Sequence, residues 1–130
     1  MADLQIDIVT PQREVFSGTA TEVRVPGWLG EFGVLPGHDV ILSLLRAGVC
    51  TVIGNGVEQK FLIGRGFAEV GPESVRLLTD RAVLVSDLKK ADEIAAYETA
   101  EKQLNEAEYE SAEWRSAEER VEWGRAAASV

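Results

Sequence analysis

Ten residues decide how this sequence is interpreted: Gly30-Glu31-Phe32-Gly33-Val34-Leu35-Pro36-Gly37-His38-Asp39. They include three of the twelve glycines, one of the four prolines and the only histidine of the chain. Glycine serves positions with positive φ or a close backbone approach, whereas proline fixes φ and removes a hydrogen-bond donor. The composition therefore predicts a shaped, non-repetitive loop rather than a helix or a regular strand. Such a loop commonly presents side chains to a partner.

Short β-strands are predicted on both sides of this stretch. They are indicated by alternating apolar residues or by flanking turn residues: residues 4–8, 23–25, 49–53, 57–63, 67–70, 75–79 and 83–85. The turn sequences Gly54-Asn55-Gly56 and Gly71-Pro72-Glu73-Ser74 each predict a hairpin. Many short strands joined by turns predict an all-β sandwich or barrel. The lack of βαβ alternation argues against a nucleotide-binding parallel sheet.

The composition changes after residue 86. All four prolines and eleven of the twelve glycines lie in residues 1–86, and only Gly124 lies beyond them. Residues 1–86 hold ten acidic and seven basic residues, a net charge of −3, while residues 87–130 hold twelve and six, a net charge of −6. We therefore predict a β domain over 1–86 and a helical domain over 87–130.

The second domain has helical periodicity. Apolar residues recur at spacings of three and four in two stripes, namely Ile94, Tyr97, Ala100, Leu104 and Ala107, and then Trp114, Ala117 and Val121. Ser86 or Asp87 is predicted to cap the first turn. No strong breaker separates the stripes, so the residues leave open one long helix or a helical hairpin. The best turn candidates are Asn105 and residues 106–110.

Composition also excludes several classes of protein. The net charge of −9 argues against nucleic acid or anionic lipid as a primary partner, because both demand a basic surface. No apolar run is long enough to cross a bilayer. The acidic start Met1-Ala2-Asp3 does not resemble a secretory leader, so none is expected. Cys50 lies in an apolar stretch and is predicted to be a buried, inert thiol.

No catalytic site, cofactor or metal is predicted. His38 beside Asp39 would suit acid–base chemistry, but no nucleophile stands in a recognisable elbow. A single histidine does not make a histidine-rich metal site. The glycine-rich segments 54–56 and 64–66 lack the lysine and the following helix of a phosphate loop and are interpreted as turns. We expect a structural or interface role for His38.

Three segments carry a resemblance to a known family: residues 16–18, residues 30–49 and residues 62–70. The Gly-Glu-x-Gly-x-x-Pro-Gly-His pattern of Gly30–His38 is the strongest of these matches, and residues 62–70 resemble the family's Gly-Gly-x-x-Glu-Val strand. In order and spacing they resemble the amino-terminal domain of the epsilon subunit family of F-type ATP synthases, over roughly residues 3–86. The resemblance implies an α+β fold, an N-terminal β-sandwich followed by a C-terminal α-helical hairpin.

The resemblance also implies a function. Members of this family are non-catalytic rotor subunits of the central stalk that couple rotation of the membrane c-ring to the gamma shaft and to ATP synthesis. The implied partners are the gamma subunit, the polar loops of the c-ring and, through the helices, the alpha and beta subunits. The implied location is peripheral, on the cytoplasmic face of the bacterial inner membrane. The helices are a candidate regulator of ATP hydrolysis.

Specific residues follow from matching the family pattern. Glu31 would meet the c-ring loops, together with Phe32, Val34, His38 and Asp39. Trp28-Leu29 stands where relatives often have small polar residues, so an exposed, sticky patch, an inward-folded pair and a pair that packs on a partner all stay open.

In the helical domain, Trp114 and Trp123 are candidate apolar anchors for a regulatory contact. Arg115 and Arg120 are interleaved with glutamates, so we expect weak electrostatic docking onto an acidic surface. Some relatives bind ATP through a motif resembling Ile/Leu-Asp-x-x-Arg-Ala. Here Ala95 and Glu98 replace its aspartate and arginine, and no specific ATP binding is predicted.

Two other classes of function remain as alternatives. A free-standing β-sandwich could bind a small ligand or a protein, although no cluster of polar residues is seen to converge on a cavity. An enzyme would have to use His38 without a recognisable nucleophile.

Overall fold

The structure, a computed structural model, describes residues 3–130. By internal packing the chain divides into two compact units, the first ending at Ser86 and the second covering Asp87–Val130. Met1 and Ala2, which belong to the predicted 1–86 domain and to the acidic start considered above, lie outside the described residues. Among residues 3–130, no helix combines the length and the apolar character needed to span a bilayer.

Within the described residues the first unit contains ten strands. In chain order they are β1 (Leu4–Val9), β2 (Glu14–Ala20), β3 (Glu22–Gly27), β4 (Gly30–Val34), β5 (Ile41–Leu45), β6 (Gly48–Gly54), β7 (Val57–Ile63), β8 (Gly66–Val70), β9 (Ser74–Thr79) and β10 (Ala82–Leu84). Their order in the sheet is β10-β7-β6-β3-β5-β8-β9-β1-β2, with β4 attached to β3. In this part of the chain β1 and β9 pair in parallel, and the other ladders, such as that of β6 with β7, are antiparallel.

The core lies between the inward faces of these strands. In β1 the alternate residues Leu4, Ile6 and Ile8 are fully buried, because successive side chains of a strand point to opposite faces. They join one cluster with inward residues of the other strands, including Phe61 of β7 and Val75 of β9. The predicted β-sandwich is thereby confirmed.

Both predicted hairpins are present. In the β6–β7 turn Asn55 has φ of 53° and Gly56 has φ of 74°. Positive φ at both central residues gives the turn that matches the twist of a hairpin, and asparagine and glycine are the residues that tolerate it. The β8–β9 hairpin pairs Val70 with Val75 across the turn at 71–74.

Three strands were not predicted: β2, β4 and β5. For β4 the prediction of a non-repetitive loop is wrong, since Gly30–Val34 forms a ladder with β3, and only residues 35–40 lack regular structure. Because two of the five residues are glycines, only Phe32 and Val34 indicate the alternation of apolar and polar residues that is typical of a strand. The backbone nevertheless extends because pairing with β3 satisfies its hydrogen-bonding groups.

The second unit is a helical hairpin, which settles the alternative left open by the sequence. It consists of α1 (Lys90–Glu106) and α2 (Ala112–Ala128). The predicted capping by Ser86 or Asp87 is wrong, because Val85–Asp87 forms a 3-10 turn and α1 begins after Lys89, which makes no side-chain cap. Asn105 is helical, and the turn falls at 107–111, where Glu110 has φ of 63°.

Candidate partner-binding surfaces

The β3–β4 hairpin ends in a two-residue tip, Trp28-Leu29. Gly27 and Gly30 form the last pair of the ladder, and Gly30 has φ of 134°. A Cβ added to Gly27 would lie 2.7 Å from the Gly30 carbonyl oxygen and 2.9 Å from the Phe32 ring. Glycine at these positions therefore lets the chain turn tightly over Phe32.

The tip is exposed and held against β5. Trp28 is 44% exposed and Leu29 is fully exposed. The Trp28 backbone N–H donates to the Leu44 carbonyl oxygen at 2.9 Å, and the Arg46 N–H donates to the Pro26 carbonyl oxygen at 2.9 Å. The Arg46 guanidinium lies over the Trp28 ring, which is a cation–π arrangement. Of the alternatives left by the sequence, the inward-folded pair is therefore wrong.

The tip continues into exposed apolar side chains on β5 and β8. Leu42 is 71% exposed, Leu44 is 61% exposed and Phe67 is 42% exposed. Leu44 and Phe67 are direct cross-strand neighbours. We call Trp28, Leu29, Leu42, Leu44 and Phe67 together the apolar face. Contiguous exposed apolar residues are uncommon on a monomer and mark interaction sites.

Sequence reasoning did not identify the β5 and β8 part of the apolar face. The available signal was the segment Ile41-Leu42-Ser43-Leu44-Leu45, in which leucines stand at both odd and even positions. A strand apolar on both sides needs a partner on each. Only Leu45 of this strand is buried in the core, at 1% exposure.

Glu31 lies on the outer surface of β4, opposite Pro26. It is the second residue after the tip and belongs to a strand, not to the tip of an irregular loop as predicted. Arg24 of β3 is close enough to be affected by its charge. A hydrogen bond and the charge of Glu22, at 3.0 Å, raise the pKa of Arg24, and Glu58 and Glu31 contribute less. The Glu31 carboxylate is thus exposed and available to a basic group.

Phe32 and Val34 occupy the opposite surface of β4. Val34 is fully buried in the core cluster, and Phe32 is partly buried and packs against it. The structure contradicts a partner contact through Val34, because strand alternation points positions 32 and 34 inward when position 31 points outward. These two side chains pack on the core side of the β3–β4 hairpin.

His38 and Asp39 lie in the irregular segment 35–40. Gly37 has φ of 90°, and its N–H donates to the Pro72 carbonyl oxygen at 2.8 Å, which ties the segment to the β8–β9 turn. The His38 Nδ1 lies 2.8 Å from the Asp39 carbonyl oxygen and donates to it in the Nδ1–H tautomer. The bond between the His38 ring and the Asp39 carbonyl oxygen helps to order segment 35–40, which is a structural role.

The four candidate residues of the helical unit differ in accessibility. Trp123 is 5% exposed, and its Nε1–H donates to Glu93 Oε2 at 3.0 Å. Trp114 is half-buried and packs edge-on against the exposed Tyr109, with ring centroids 4.9 Å apart. Arg115 and Arg120 are exposed, and Arg120 donates to Gln103 Oε1. The Trp123 side chain is therefore covered by the hairpin itself.

A cavity of about 410 Å³ opens between Val9, Arg65, Leu78 and Asp80. The hydroxyl groups of Thr10 and Thr79 in its lining donate to the carbonyl oxygens of Arg13 and Arg81. Burial raises the pKa of the Asp80 carboxyl, and the neighbouring arginines partly oppose this. Because these polar groups serve the surrounding loops, the cavity does not have the convergent polar lining of a ligand site.

Cys50 is fully buried in the core, and desolvation raises the pKa of its thiol to about 12. The predicted burial of the thiol is confirmed, and its raised pKa disfavours the thiolate, which is the reactive form. Across residues 3–130, no group of three or more His, Cys, Asp or Glu side chains is arranged to hold a metal ion.

The first unit matches the family model described as "ATP synthase, Delta/Epsilon chain, beta-sandwich domain" over residues 3–85. Similar curated proteins are ATP synthase epsilon chains of bacteria. The one from Rhodopseudomonas palustris (strain BisB5) is 39% identical over 104 residues, which is 80% of this chain and 77% of the relative. The one from Bordetella petrii is 39% identical over 108 residues, covering 82% and 77%.

Solved structures share the fold. A chain in the cryo-EM structure of the Euglena gracilis mitochondrial ATP synthase (OSCP/F1/c-ring, rotational state 1) superposes with a TM-score of 0.82 at 21% identity, over 97% of this chain and 79% of that one. A chain of the Tetrahymena thermophila mitochondrial ATP synthase central stalk/c-ring gives 0.65 at 11% identity, over 96% of both. Together with the family match and the bacterial relatives, the β-sandwich and hairpin show that this chain belongs to the ATP synthase delta/epsilon family, as a non-catalytic chain of that complex.

Proposed function

We propose that this chain is a rotor subunit of the central stalk, which binds the gamma subunit through the apolar face and meets the c-ring near Glu31. In this arrangement residues 1–86 transmit rotation of the ring to the shaft, and residues 87–130 form a separate helical domain. The observation that carries the proposal is the apolar face, because a surface of this kind requires a protein partner. The catalytic work belongs to other subunits.

The apolar face suits a permanent contact. Leu42, Leu44 and Phe67 stand on paired strands, so these side chains are held in position before binding and little ordering cost is left. Trp28 offers a large ring at one end, and aromatic residues dominate the energetics of interfaces. The opposite side of β5 is fixed by Leu45 in the core. We therefore assign the gamma contact to this flank.

The c-ring contact requires a polar surface, since the ring's loops are polar. Glu31 is exposed on β4, next to the tip, and Asp39 is exposed in segment 35–40. A carboxylate pairs with a basic group more strongly than a neutral acceptor does. His38 contributes by ordering segment 35–40. We therefore propose that Glu31 and Asp39 touch the ring, and that Phe32 supports them.

The proposed location is peripheral, on the cytoplasmic face of the bacterial inner membrane. The relatives given above are bacterial ATP synthase chains, and the synthase is a membrane-associated complex. Binding to the membrane occurs through the complex, because the net charge of −9 disfavours direct contact with anionic lipid.

Regulation of ATP hydrolysis by α1 and α2 is proposed as a second, weaker activity. Trp114 and the exposed Arg115 and Arg120 are the residues that would contact the alpha and beta subunits. The helical unit carries twelve acidic and six basic residues, so its attraction to an acidic surface is small.

The gamma contact is tested by adding the full chain to a catalytic head that lacks it. Leu44→Asp places a charge in the apolar face, and Val57→Asp is the matched control because Val57 is an equally exposed strand residue, 60% against 61%, on β7. We expect Leu44→Asp to weaken binding by at least about 2 kcal/mol, as at an interface hot spot, and Val57→Asp to bind like the unchanged chain. Equal binding of both variants would remove this assignment.

The ring contact and the regulatory role have separate readouts. Glu31→Lys should lower proton-driven ATP synthesis by the assembled enzyme while binding to the head is kept, and a loss of both would place Glu31 at the gamma contact instead.

Inhibition is measured as ATPase activity of the head with the full chain and with residues 1–86. Slower hydrolysis with the full chain alone assigns the effect to the helices.

A further inference from the structure

We infer that the β6–β7 turn is a site of spontaneous covalent modification, at which attack by the Gly56 main-chain nitrogen converts Asn55 to aspartate and isoaspartate. The turn consists of these two residues, between the end of β6 at Gly54 and the start of β7 at Val57. The chemistry of the turn is independent of the place that the sandwich takes in the rotor.

The reaction needs an asparagine side chain and the main-chain nitrogen of the next residue. The Gly56 nitrogen forms a bond to Asn55 Cγ, and the bond from Cγ to the side-chain amide nitrogen breaks. Solvent carries the Gly56 proton to the departing amide group, which leaves as ammonia, and a cyclic succinimide remains. Water then adds to either ring carbonyl and opens the ring, which gives aspartate or isoaspartate. The folded chain and water are therefore the only reactants.

Both reacting groups are accessible at this turn. Asn55 and Gly56 are exposed, and a Cβ added to Gly56 would meet no atom of a non-neighbouring residue within 4 Å. Glycine itself has no Cβ that would hinder the approach of its nitrogen. Among residues 3–130, neither the Asn55 side chain nor the Gly56 N–H has a hydrogen-bond partner. Neither group has to leave a partner before it reacts.

The turn geometry controls how often the reaction occurs. Asn55 has φ of 53° and Gly56 has φ of 74°, and the pair of Gly54 with Val57 closes the turn. Attack requires rotation about the Cα–C bond of Asn55, which the closed turn restrains. The closing pair is the last of its ladder, and Val57 is 60% exposed, so this end of the hairpin opens at little cost in free energy.

The chain contains an internal comparison, because its only other asparagine is Asn105. Asn105 lies within α1 and is followed by Glu106, which also belongs to the helix. A helical N–H is bonded to the carbonyl oxygen four residues earlier, and Glu106 carries a Cβ next to the nitrogen that would attack. Asn105 should therefore react much more slowly than Asn55.

The two products differ in their effect on the hairpin. Aspartate leaves the main chain unchanged, and Asp-Gly suits this type of turn as Asn-Gly does. In isoaspartate the main chain passes through the former side-chain carbon, which adds one carbon atom between Gly54 and Val57. The two-residue turn then no longer matches the spacing of the closing pair. Isoaspartate should therefore open the turn, whereas aspartate should keep it.

The effect should stay local, because the strands are anchored beyond the turn. The Thr21 N–H and hydroxyl group both donate to the Ile53 carbonyl oxygen, at 2.8 Å and 3.1 Å. Further along the ladder, Cys50 pairs with Phe61, and both side chains are buried in the core. Isoaspartate at position 55 should therefore loosen residues 53–58 and leave the rest of the sandwich folded.

The reaction is tested by incubating the folded full chain at mildly alkaline pH and digesting samples with trypsin. Cleavage after Lys and Arg gives one peptide of residues 47–60 with Asn55 and one of residues 103–115 with Asn105. Mass spectrometry follows the conversion of amide to acid, and an isoaspartyl methyltransferase labels the isoaspartate. We expect peptide 47–60 to convert at least about tenfold faster than peptide 103–115, because a hairpin end opens locally at a free energy near zero.

The control for the assignment is Asn55→Gln, which should abolish this conversion although Gln59 stays in the same peptide. The assignment is overturned if the two peptides convert equally fast or if Asn55→Gln converts like the unchanged chain. It is also overturned if peptide 47–60 converts only when the chain is unfolded in urea.

The effect on the turn is tested by amide hydrogen exchange of the isoaspartyl chain, separated by chromatography. Asn55→Asp is the matched control, because it has the same atoms and charge on a normal main chain. We expect exchange over residues 53–58 to rise at least about fivefold in the isoaspartyl chain, as for the loss of one ladder hydrogen bond. In Asn55→Asp it should change by less than about twofold, as surface substitutions do. Equal exchange in the two chains, or faster exchange in β1 and β9 as well, would contradict a local opening of the turn.

Discussion

The guanidinium carbon of Arg46 lies 4.9 Å from the centroid of the Trp28 ring. Arg46 follows β5 and Trp28 follows β3, and backbone hydrogen bonds of both residues link the two strands. The indole is therefore held beside Leu44 by its main chain and covered on one face by a cation. An exposed tryptophan fixed in this way is pre-organised for a partner, because little side-chain entropy is left to lose.

Trp28→Ala should separate binding from folding. Since Trp28 is 44% exposed, the loss of the cation–π contact and of partial burial should lower the free energy of unfolding by about 1 kcal/mol. Its loss from the apolar face should weaken binding to the gamma-containing head by about 2 kcal/mol or more. Urea unfolding and a binding titration measure the two effects. Comparable losses of affinity with Val57→Ala would contradict the role given to Trp28.

Gly66→Ala should destabilise the sandwich strongly. An added Cβ would lie 2.0 Å from the Leu78 carbonyl oxygen and 2.8 Å from Thr79 Cα, so the β8–β9 backbone would have to separate. We expect a loss above about 3 kcal/mol in unfolding free energy, in the range of severe strain. Gly71→Ala is the control, because its nearest neighbour would be 4.0 Å away. The prediction fails if the two variants have similar urea midpoints.

Cys50 should make stability fall at alkaline pH. Burial raises the pKa of its thiol to about 12 in the folded chain, whereas an unfolded thiol titrates near ~8.5. Between these two pH values the thiol is protonated in the folded chain and ionised in the unfolded chain. The contribution of Cys50 to the free energy of unfolding is therefore fully present below about pH 8.5, and it declines by about 1.4 kcal/mol per pH unit above that value.

The measurement is urea unfolding of the unchanged chain and of Cys50→Ala at a series of pH values from 8 to 10. Other groups titrate in this range, so the difference between the two chains isolates the thiol. Cys50→Ala should be less stable at pH 8, and the gap should narrow as the pH rises. A constant gap would mean that Cys50 does not contribute to the pH dependence.

ATP should not stabilise the helical unit. Ala95 and Glu98 stand on the exposed surface of α1, at positions where the ATP-binding relatives carry an aspartate and an arginine. A glutamate repels a triphosphate, and a ligand raises the melting temperature only when it binds the folded state. Thermal unfolding with millimolar MgATP should match that with MgGTP. A saturable rise specific to ATP would disprove the prediction.

Elements that depend on local turn chemistry were predictable from the sequence, and elements that depend on long-range pairing were not. The β6–β7 hairpin was predictable because its turn chemistry is local, with Asn55 and Gly56 both suited to positive φ. Strand β4 was not predictable, because two of its five residues are glycines that lower strand propensity, and its extended backbone is held by pairing with β3. The helix start was misplaced by a few residues, since capping depends on how Val85–Asp87 folds beforehand.

The residues of the candidate site also differ in how far the sequence predicts their placement. Glu31 was found from a motif, and its exposure agrees with a contact role. Val34, from the same motif, is buried, because neighbouring positions in a strand face opposite sides. The β5–β8 part of the apolar face was missed, since Leu44 and Phe67 are far apart in sequence and become neighbours only through the β5–β8 ladder.

By itself the sequence determined the two-part organisation, the family and the inert thiol, because composition, motif spacing and local turn chemistry are written along the chain. The tertiary structure alone decided which side chains share a surface. It joined Trp28 to Leu44 and Phe67, turned Val34 inward, and closed the hairpin with Trp123 on Glu93. These relationships depend on strand register and helix approach, which long-range pairing sets and no local pattern encodes.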